Sequence, residues 1–97
     1  MRFEIVFAPD AAEAIRRLDA RTRAEVKDQI EIHLRHEPAK LSKSRIKRLR
    51  GVRQPQYRLR VGEMRVFYDV VDDEVHVLFA ASKAEAMEWL REKGVPE

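Results

Sequence analysis

Four short segments of the chain have the residue pattern of β-strands. They cover residues 3–8, 57–61, 64–71 and 74–81. The pairs Gly62-Glu63 and Asp72-Asp73 separate the last three segments and are typical of tight turns. Two such turns in succession predict an antiparallel meander, and the first strand is expected to join it at an edge or between later strands. The segment 64–71 is apolar on both faces, which predicts a central strand covered on both sides.

Three other segments repeat apolar residues at helical spacing. The apolar stripes are Ala11, Ala14, Ile15 and Leu18, then Val26, Ile30 and Leu34, and finally Ala86, Trp89 and Leu90. Asp10, Thr22 and Ser82 precede these stripes, and each has a glutamate three residues later, which predicts that each caps its helix. Pro38 ends the second pattern and Gly94 ends the third. A short polar break between the first two helices predicts an antiparallel helical hairpin.

The order β-α-α-β-β-β-α predicts an α+β fold. We expect an antiparallel four-stranded sheet, with an N-terminal helical hairpin and a C-terminal helix packed on it. Residues 39–55 are basic with few apolar positions, and their pattern predicts a loop with at most one helical turn. A chain of 97 residues suffices for one compact domain and is too short for two, so residues 1–97 are expected to form a single domain.

The composition excludes several classes of chemistry. The chain has no cysteine, which rules out disulfides, thiolate nucleophiles and cysteine-bound zinc. It has no glycine-rich phosphate loop and no serine elbow. His33 and His36 are three residues apart on a predicted helix, but no third metal ligand is evident, so we expect no metal and no cofactor. No apolar run has the length of a membrane span or of a signal-peptide core, which favours a cytoplasmic protein without membrane contact.

Positive charge is concentrated in the middle of the chain. No acid occurs between Glu37 and Glu63, whereas nine basic residues lie there. The net charge of the whole chain is +3, so the rest of the sequence carries −6. A field this concentrated attracts polyanions, and its effect is screened by salt.

Three arginines lie in strands that otherwise have the pattern of sheet core. Arg58 and Arg60 are two residues apart on one strand, so they share a face at a separation of roughly 7 Å. The turn at 62–63 brings Arg65 back beside them. Guanidinium groups bind phosphate through a planar fork and keep their charge near neutral pH. The alternative is that each arginine pairs with an acid such as Asp69 or Glu85, or simply faces water.

The segment 49–78 resembles the RelE/ParE toxin superfamily of bacterial and archaeal toxin–antitoxin systems. The family pattern is Leu-Arg-Gly, a strand of the form Tyr-basic-apolar-basic, a short turn, and Arg-apolar-x-Tyr before an Asp-rich turn. The matching residues are Leu49, Arg50, Gly51, Tyr57, Arg58, Leu59, Arg60, Arg65, Val66 and Tyr68. The N-terminal strand and helical hairpin also fit, so the resemblance spans nearly the whole chain and implies a RelE-like fold.

The resemblance also implies a function. RelE-type members cut mRNA in the ribosomal A site, with the RNA 2′-hydroxyl as nucleophile on the adjacent phosphate and without a metal. Carried onto this chain, the catalytic set is Arg58, Arg60, Arg65 and Lys83. The residues implied to bind RNA and the ribosome are Lys43, Arg45, Lys47, Arg48, Arg50 and Arg53. A cognate antitoxin, whose acidic or amphipathic segment covers the basic surface, is the implied protein partner.

One part of the chain departs from the RelE-type pattern. Those nucleases carry a further arginine and often a tyrosine near the last strand and terminal helix, where this chain has Ala84 and Leu90, with Trp89 adjacent. Two alternatives therefore stay open. The chain could be a ParE-type toxin that binds DNA gyrase, or a RelE-fold binding module without catalytic activity.

Overall fold

A computed structural model describes all 97 residues of the chain. The secondary structure elements are β1 (Glu4–Phe7), α1 (Pro9–Arg16), α2 (Ala20–Leu34), β2 (Ile46–Arg48), β3 (Val52–Gln54), β4 (Tyr57–Val61), β5 (Met64–Val71), β6 (Glu74–Ser82), α3 (Lys83–Lys93) and β7 (Val95–Pro96). The α+β class and the predicted helices and strands are confirmed, and three short strands are added to them. No helix combines the length and the apolar character needed to cross a membrane.

The main sheet differs from the prediction in strand number and direction. It has five strands in the order β1-β6-β5-β4-β2, and β1 runs parallel to β6 while the other pairs are antiparallel. The prediction of a four-stranded antiparallel sheet was therefore wrong. β1 lies at one edge beside β6, and the α1–α2 hairpin connects it to β2 at the opposite edge. Alternation of side chains is the same in parallel and antiparallel strands, so it does not reveal strand direction.

The fifth strand arises from the basic segment that was predicted to be a loop. Ile46 is the only buried residue of β2, and the strand is held by its pairing with β4. Farther along, β3 pairs with β7 in a separate two-stranded sheet. β2 and β3 have three residues each, and their basic residues leave little apolar alternation to recognise. Pairing with β4 stabilises β2, and pairing with β7 stabilises β3.

Two of the three predicted helix caps were wrong. In α1 the N-cap is Ala8 and Pro9 takes the first helical position, so Asp10 lies in the first turn. In α2 the N-cap is Asp19, whose carboxylate accepts a hydrogen bond from the Thr22 N–H at 2.9 Å. Ser82 caps α3 as predicted, accepting from the Glu85 N–H at 3.5 Å. Gly94 ends that helix, also as predicted.

The main core lies between the sheet and the α1–α2 hairpin. It consists of Ala11, Ile15, Val26, Ile30, Leu34, Ile46, Leu59, Val61, Val66, Tyr68, Val75, Val77 and Ala80. The buried Tyr68 hydroxyl donates to the Pro38 carbonyl at 2.6 Å, which anchors the segment that follows α2 to the sheet. Burial raises the pKa of this phenol well above its usual value.

The opposite face of the sheet is covered in part by α3. The indole of Trp89 stacks on Phe79 with ring centroids 5.1 Å apart and lies 5.9 Å from Phe67. Its Nε1–H donates to the Asp10 carboxylate at 3.2 Å, which links α3 to α1. The central strand β5 is therefore covered on both faces near Phe67, as its apolar pattern predicted.

Candidate nucleic-acid interface

Strand register places four basic side chains on one face of the sheet. Leu59 and Val61 of β4 point into the core, so Arg58 and Arg60 point to the opposite face. Arg60 lies directly across from Arg65 of β5, and Arg58 lies directly across from Lys47 of β2. Directly opposed residues share a face, with Cβ atoms about 5 Å apart. We call Lys47, Arg58, Arg60 and Arg65 the cationic face.

The arginines of the cationic face bind backbone carbonyls instead of carboxylates. Arg60 Nε and Arg65 Nη1 both donate to the Gly62 carbonyl, at 3.4 and 3.0 Å, so the two guanidiniums converge on one acceptor. Arg58 Nη2 donates to the carbonyls that precede β2, that of Ser44 at 3.1 Å and that of Arg45 at 3.4 Å. The ion pairs of the molecule involve other residues. The positive charge of this face is therefore not neutralised within the chain.

The surroundings of Arg58 disfavour its positive charge. Its side chain is partly buried, and its Nε is inaccessible and has no hydrogen-bond partner. Burial lowers the pKa of Arg58, and the neighbouring charges of Arg65 and Arg60 lower that pKa further. A bound anion at this face would offset the repulsion between Arg58 and its neighbouring arginines.

The acids that could have neutralised the arginines are engaged elsewhere. Asp69 of β5 is 4% exposed, and its two carboxylate oxygens accept from Gln54 Nε2 and the Gln56 N–H, both at 2.7 Å. The Gln56 side chain in turn accepts from the Val70 N–H at 2.9 Å. Glu85 lies in the first turn of α3, where its N–H binds the Ser82 cap. The alternative that either acid pairs with the arginines is not realised.

The Asp69 network was missed in the sequence, although one signal pointed to it. Asp69 stands in the middle of a strand whose other central residues, such as Phe67 and Tyr68, are buried and apolar. A buried carboxylate requires hydrogen-bond donors. Those donors come from Gln54, the last residue of β3, and Gln56, the residue just before β4, so the carboxylate ties the connection between these strands to β5.

Lys83 lies at one end of the cationic face. It is the first residue of α3, its side chain is exposed, and its backbone N–H donates to the Glu63 carbonyl at 3.2 Å. Because Gly62 and Glu63 form the turn that joins β4 to β5, Lys83 is next to the point where the arginines of these strands converge. The structure thus brings all four predicted catalytic residues to one region of the surface.

The six predicted binding residues are divided between surfaces. Lys47 belongs to the cationic face, and Arg45 immediately precedes its strand. Arg48 points to the other face, where its guanidinium lies 5.2 Å from the centre of the Tyr57 ring. That ring stacks on Tyr68 at 5.4 Å. Lys43 and Arg50 are exposed on the segments that flank β2, and Arg53 is exposed in β3, a strand of the second sheet.

The C-terminal helix brings no proton-transfer group to the cationic face. Trp89 is held by its stack on Phe79 and by Asp10, and Ala84 is an exposed residue of the first helical turn. The two tyrosines, Tyr57 and Tyr68, lie on the side of the sheet that faces the helical hairpin.

A model of one protein family matches residues 5–86, which is most of the chain. The family is described as the ParE toxin of the type II toxin–antitoxin system parDE. No curated protein matches the sequence significantly.

Solved structures with a similar fold are toxins of related systems. The toxin of the RelE–RelB complex from Pyrococcus horikoshii is 23% identical, with a TM-score of 0.68 over 86% of this chain and 97% of that one. The RelBE2 complex from Mycobacterium tuberculosis gives 21% identity and a TM-score of 0.66 over 86% and 100% of the two chains. A doubly substituted E. coli RelE in the free state is 26% identical, with a TM-score of 0.58 over 95% and 94%.

Proposed function

The chain belongs to the ParE toxin family of type II toxin–antitoxin systems, within the RelE/ParE superfamily, and on the basis of its cationic face we propose that it cleaves mRNA at the ribosome. As a toxin it would act in the cytoplasm, where translation takes place, with residues 1–97 working as one domain. The 26% identity to E. coli RelE over 95% of the chain supports this branch of the superfamily.

The observation that carries the proposal is the unpaired positive charge of the cationic face. Three arginines lie on adjacent strands, none has a carboxylate partner, and Arg58 retains a buried Nε without an acceptor. Strands hold these side chains on a stiff support, so little reorganisation is needed when an anion arrives. A phosphodiester linkage of RNA supplies both the negative charge and the acceptor oxygens.

Attack of the 2′-hydroxyl on the adjacent phosphorus creates a phosphorane-like transition state that is more negative than the starting diester. Fixed guanidiniums therefore stabilise the transition state more than the ground state, which is the requirement for catalysis. In this proposal Arg60 and Arg65, which share one carbonyl acceptor, would bind two oxygens of the same phosphoryl group. Arg58 would bind the next phosphate along the strand.

The remaining cations supply binding rather than chemistry in this proposal. Lys43, Arg50 and Arg53 are exposed, and contacts of such side chains to phosphates depend strongly on salt. We infer that they bind ribosomal RNA while the mRNA occupies the sheet.

We also propose a cognate antitoxin as the partner of this chain. The solved structures from P. horikoshii and M. tuberculosis are complexes of a toxin with its antitoxin. An acidic segment laid over the cationic face would neutralise Arg58, Arg60 and Arg65 and would exclude RNA from them.

The test is inducible expression in a bacterial host with primer-extension mapping of mRNA ends, repeated in a translation reaction in vitro with and without ribosomes. Arg65→Ala should abolish growth inhibition and slow cleavage by about 10²–10³-fold, the usual cost of one donor to a developing anion. The matched control is Arg91→Ala, which removes an exposed arginine paired with Glu88 on α3 and should leave cleavage unchanged. A folded Arg65→Ala protein that stays fully toxic would rule out this assignment.

Gyrase inhibition is a second candidate, and two observations favour it. The matching family model describes ParE toxins, and Ala84 and Leu90 replace the arginine and tyrosine of the RelE-type pattern. Under this alternative, induction would cause DNA damage before translation stops, and no ribosome-dependent mRNA ends would appear.

A further inference from the structure

A cavity of about 360 Å³ lies beside the end of the cationic face where Arg60 and Arg65 converge. Its volume is within the range of small-molecule sites, about 300–1,000 Å³. The rim of the cavity is polar, whereas its floor and walls come from apolar residues of α1, β5 and β6. These residues are Ala14, Leu18, Met64, Phe79, Ala80 and Ala81. A flat group with apolar faces and a polar edge suits such a lining.

Strand register fixes where this cavity lies relative to the arginines. Ala81, in the floor, is directly across from Arg65, and Met64 is directly across from Ser82 at the rim. Neighbouring strands are about 4.8 Å apart, so the cavity begins one strand beyond Arg65, on the side away from Arg60. A nucleotide whose phosphate is bound by Arg60 and Arg65 therefore has its base within reach of the opening.

One carboxylate of the rim is free to bind a ligand. Asp10 accepts a hydrogen bond from the indole of α3 at 3.2 Å. Glu13 forms ion pairs with Arg17, which also lines the rim, and with the arginine before it. Glu85 has no ion-pair partner, and its carboxylate accepts only a long hydrogen bond of 3.4 Å from the Ser82 hydroxyl. This acid lies beside three arginines, yet it neutralises none of them.

We propose that the cavity binds the nucleobase next to the scissile phosphate and that Glu85 selects guanine, an inference that rests on the proposed ribonuclease function. The Watson–Crick edge of guanine has two adjacent donors, N1–H and the exocyclic amine, which match the two oxygens of a carboxylate. Adenine and cytosine each have one donor beside an acceptor nitrogen. Uracil has its N3–H between two carbonyl oxygens, which a carboxylate repels. Guanine is therefore expected to bind best and uracil worst.

The test uses the full-length toxin on ribosomes programmed with a short mRNA. Once the cleaved linkage is mapped, each of the two nucleotides that flank it is varied in turn among guanosine, inosine, adenosine, cytidine and uridine. Inosine keeps the N1–H of guanine and lacks its amine. The variant is Glu85→Gln, since glutamine is accepted three residues after a serine cap and α3 should keep its N-terminus. The matched control is Glu88→Gln, an exposed acid of α3 outside the cavity.

We expect the wild type to cleave the guanosine substrate about 10–100-fold faster than the uridine substrate at one of the two positions, the usual discrimination of a bidentate contact to a base. Inosine should lie between them. Glu85→Gln should reduce this ratio at least about 10-fold, and Glu88→Gln should leave it unchanged. A missing guanosine preference overturns the assignment and leaves the ribonuclease function intact. So does a preference that persists in Glu85→Gln, because it would come from the ribosome. A wild-type chain that cleaves no substrate overturns both.

A second measurement does not depend on cleavage. In an NMR titration of the free toxin, guanosine 5′-monophosphate should shift the amide signals of Ala81, Glu85 and Arg65, whereas uridine 5′-monophosphate should shift that of Arg65 alone. Glu85→Gln should lose the guanosine-specific shifts and keep the one at Arg65. Shifts confined to the arginines with both nucleotides would show that the cavity takes no base and would overturn the inference.

Discussion

Replacing Asp69 tests whether the buried carboxylate holds the segment between β3 and β4 in place. The side chain is 4% exposed and accepts two hydrogen bonds of 2.7 Å, from Gln54 Nε2 and the Gln56 N–H. Hydrogen bonds to a charged group contribute about 1.5–3 kcal/mol each, and part of this is offset because no cation compensates the buried charge. We therefore expect Asp69→Ala to lose about 2–4 kcal/mol of folding free energy.

Asp69→Asn should be much milder. The asparagine keeps one oxygen for the Gln56 N–H, and the Gln54 amide can rotate so that its oxygen accepts from the new NH₂ group. Neutral bonds then replace charge-assisted ones, and a buried charge is removed, so a loss of about 1 kcal/mol is expected.

The assay is thermal and urea unfolding followed by circular dichroism. For a domain of this size, 1 kcal/mol shifts Tm by about 4–8 °C, so Asp69→Ala should lower Tm by about 10–25 °C and Asp69→Asn by less than about 8 °C. Asp28→Ala, at an exposed position of α2, is the matched control and should change Tm little. An alanine variant as stable as the asparagine variant would refute the reasoning, because it would mean that the two hydrogen bonds do not hold this segment.

Two further predictions concern stability. Tyr68→Phe removes a buried hydrogen bond to Pro38 and should cost about 1 kcal/mol at pH 7. Burial raises the pKa of Tyr68 in the folded state, so above about pH 10 the phenol loses its proton in the unfolded chain but keeps it in the folded one. Deprotonation therefore stabilises the unfolded chain, and the folding free energy of the wild type falls as pH rises above about 10. Urea unfolding across pH 9–11 should show the Tyr68→Phe deficit shrinking, and a constant deficit would contradict the shifted pKa. Ser82→Ala removes the N-cap of α3; since its bond to the Glu85 N–H is 3.5 Å long, the loss should be near 0.5 kcal/mol, and a loss above about 2 kcal/mol would contradict a capping role alone.

Local rules predicted the elements that they govern. Gly62 and Asp72 have positive φ angles of 57° and 55°, and each occurs in a two-residue turn that was recognised from the sequence. The cap at Ser82 follows the same logic. Asp10 and Thr22 were assigned as caps wrongly, because several polar residues stand near each helix start and only the chain path selects one of them.

The sequence by itself determined the α+β class, the hairpins, the apolar stripes and the shared face of Arg58 and Arg60, since each depends on residues close together in the chain. Only the tertiary structure decided that β1 runs parallel to β6, that β2 adds a fifth strand carrying Lys47, and that Asp69 is bound by glutamines rather than arginines. These features depend on contacts between residues that are distant in sequence. The energy of such contacts is settled by packing of the whole chain, and a local pattern of apolar and polar residues does not encode it.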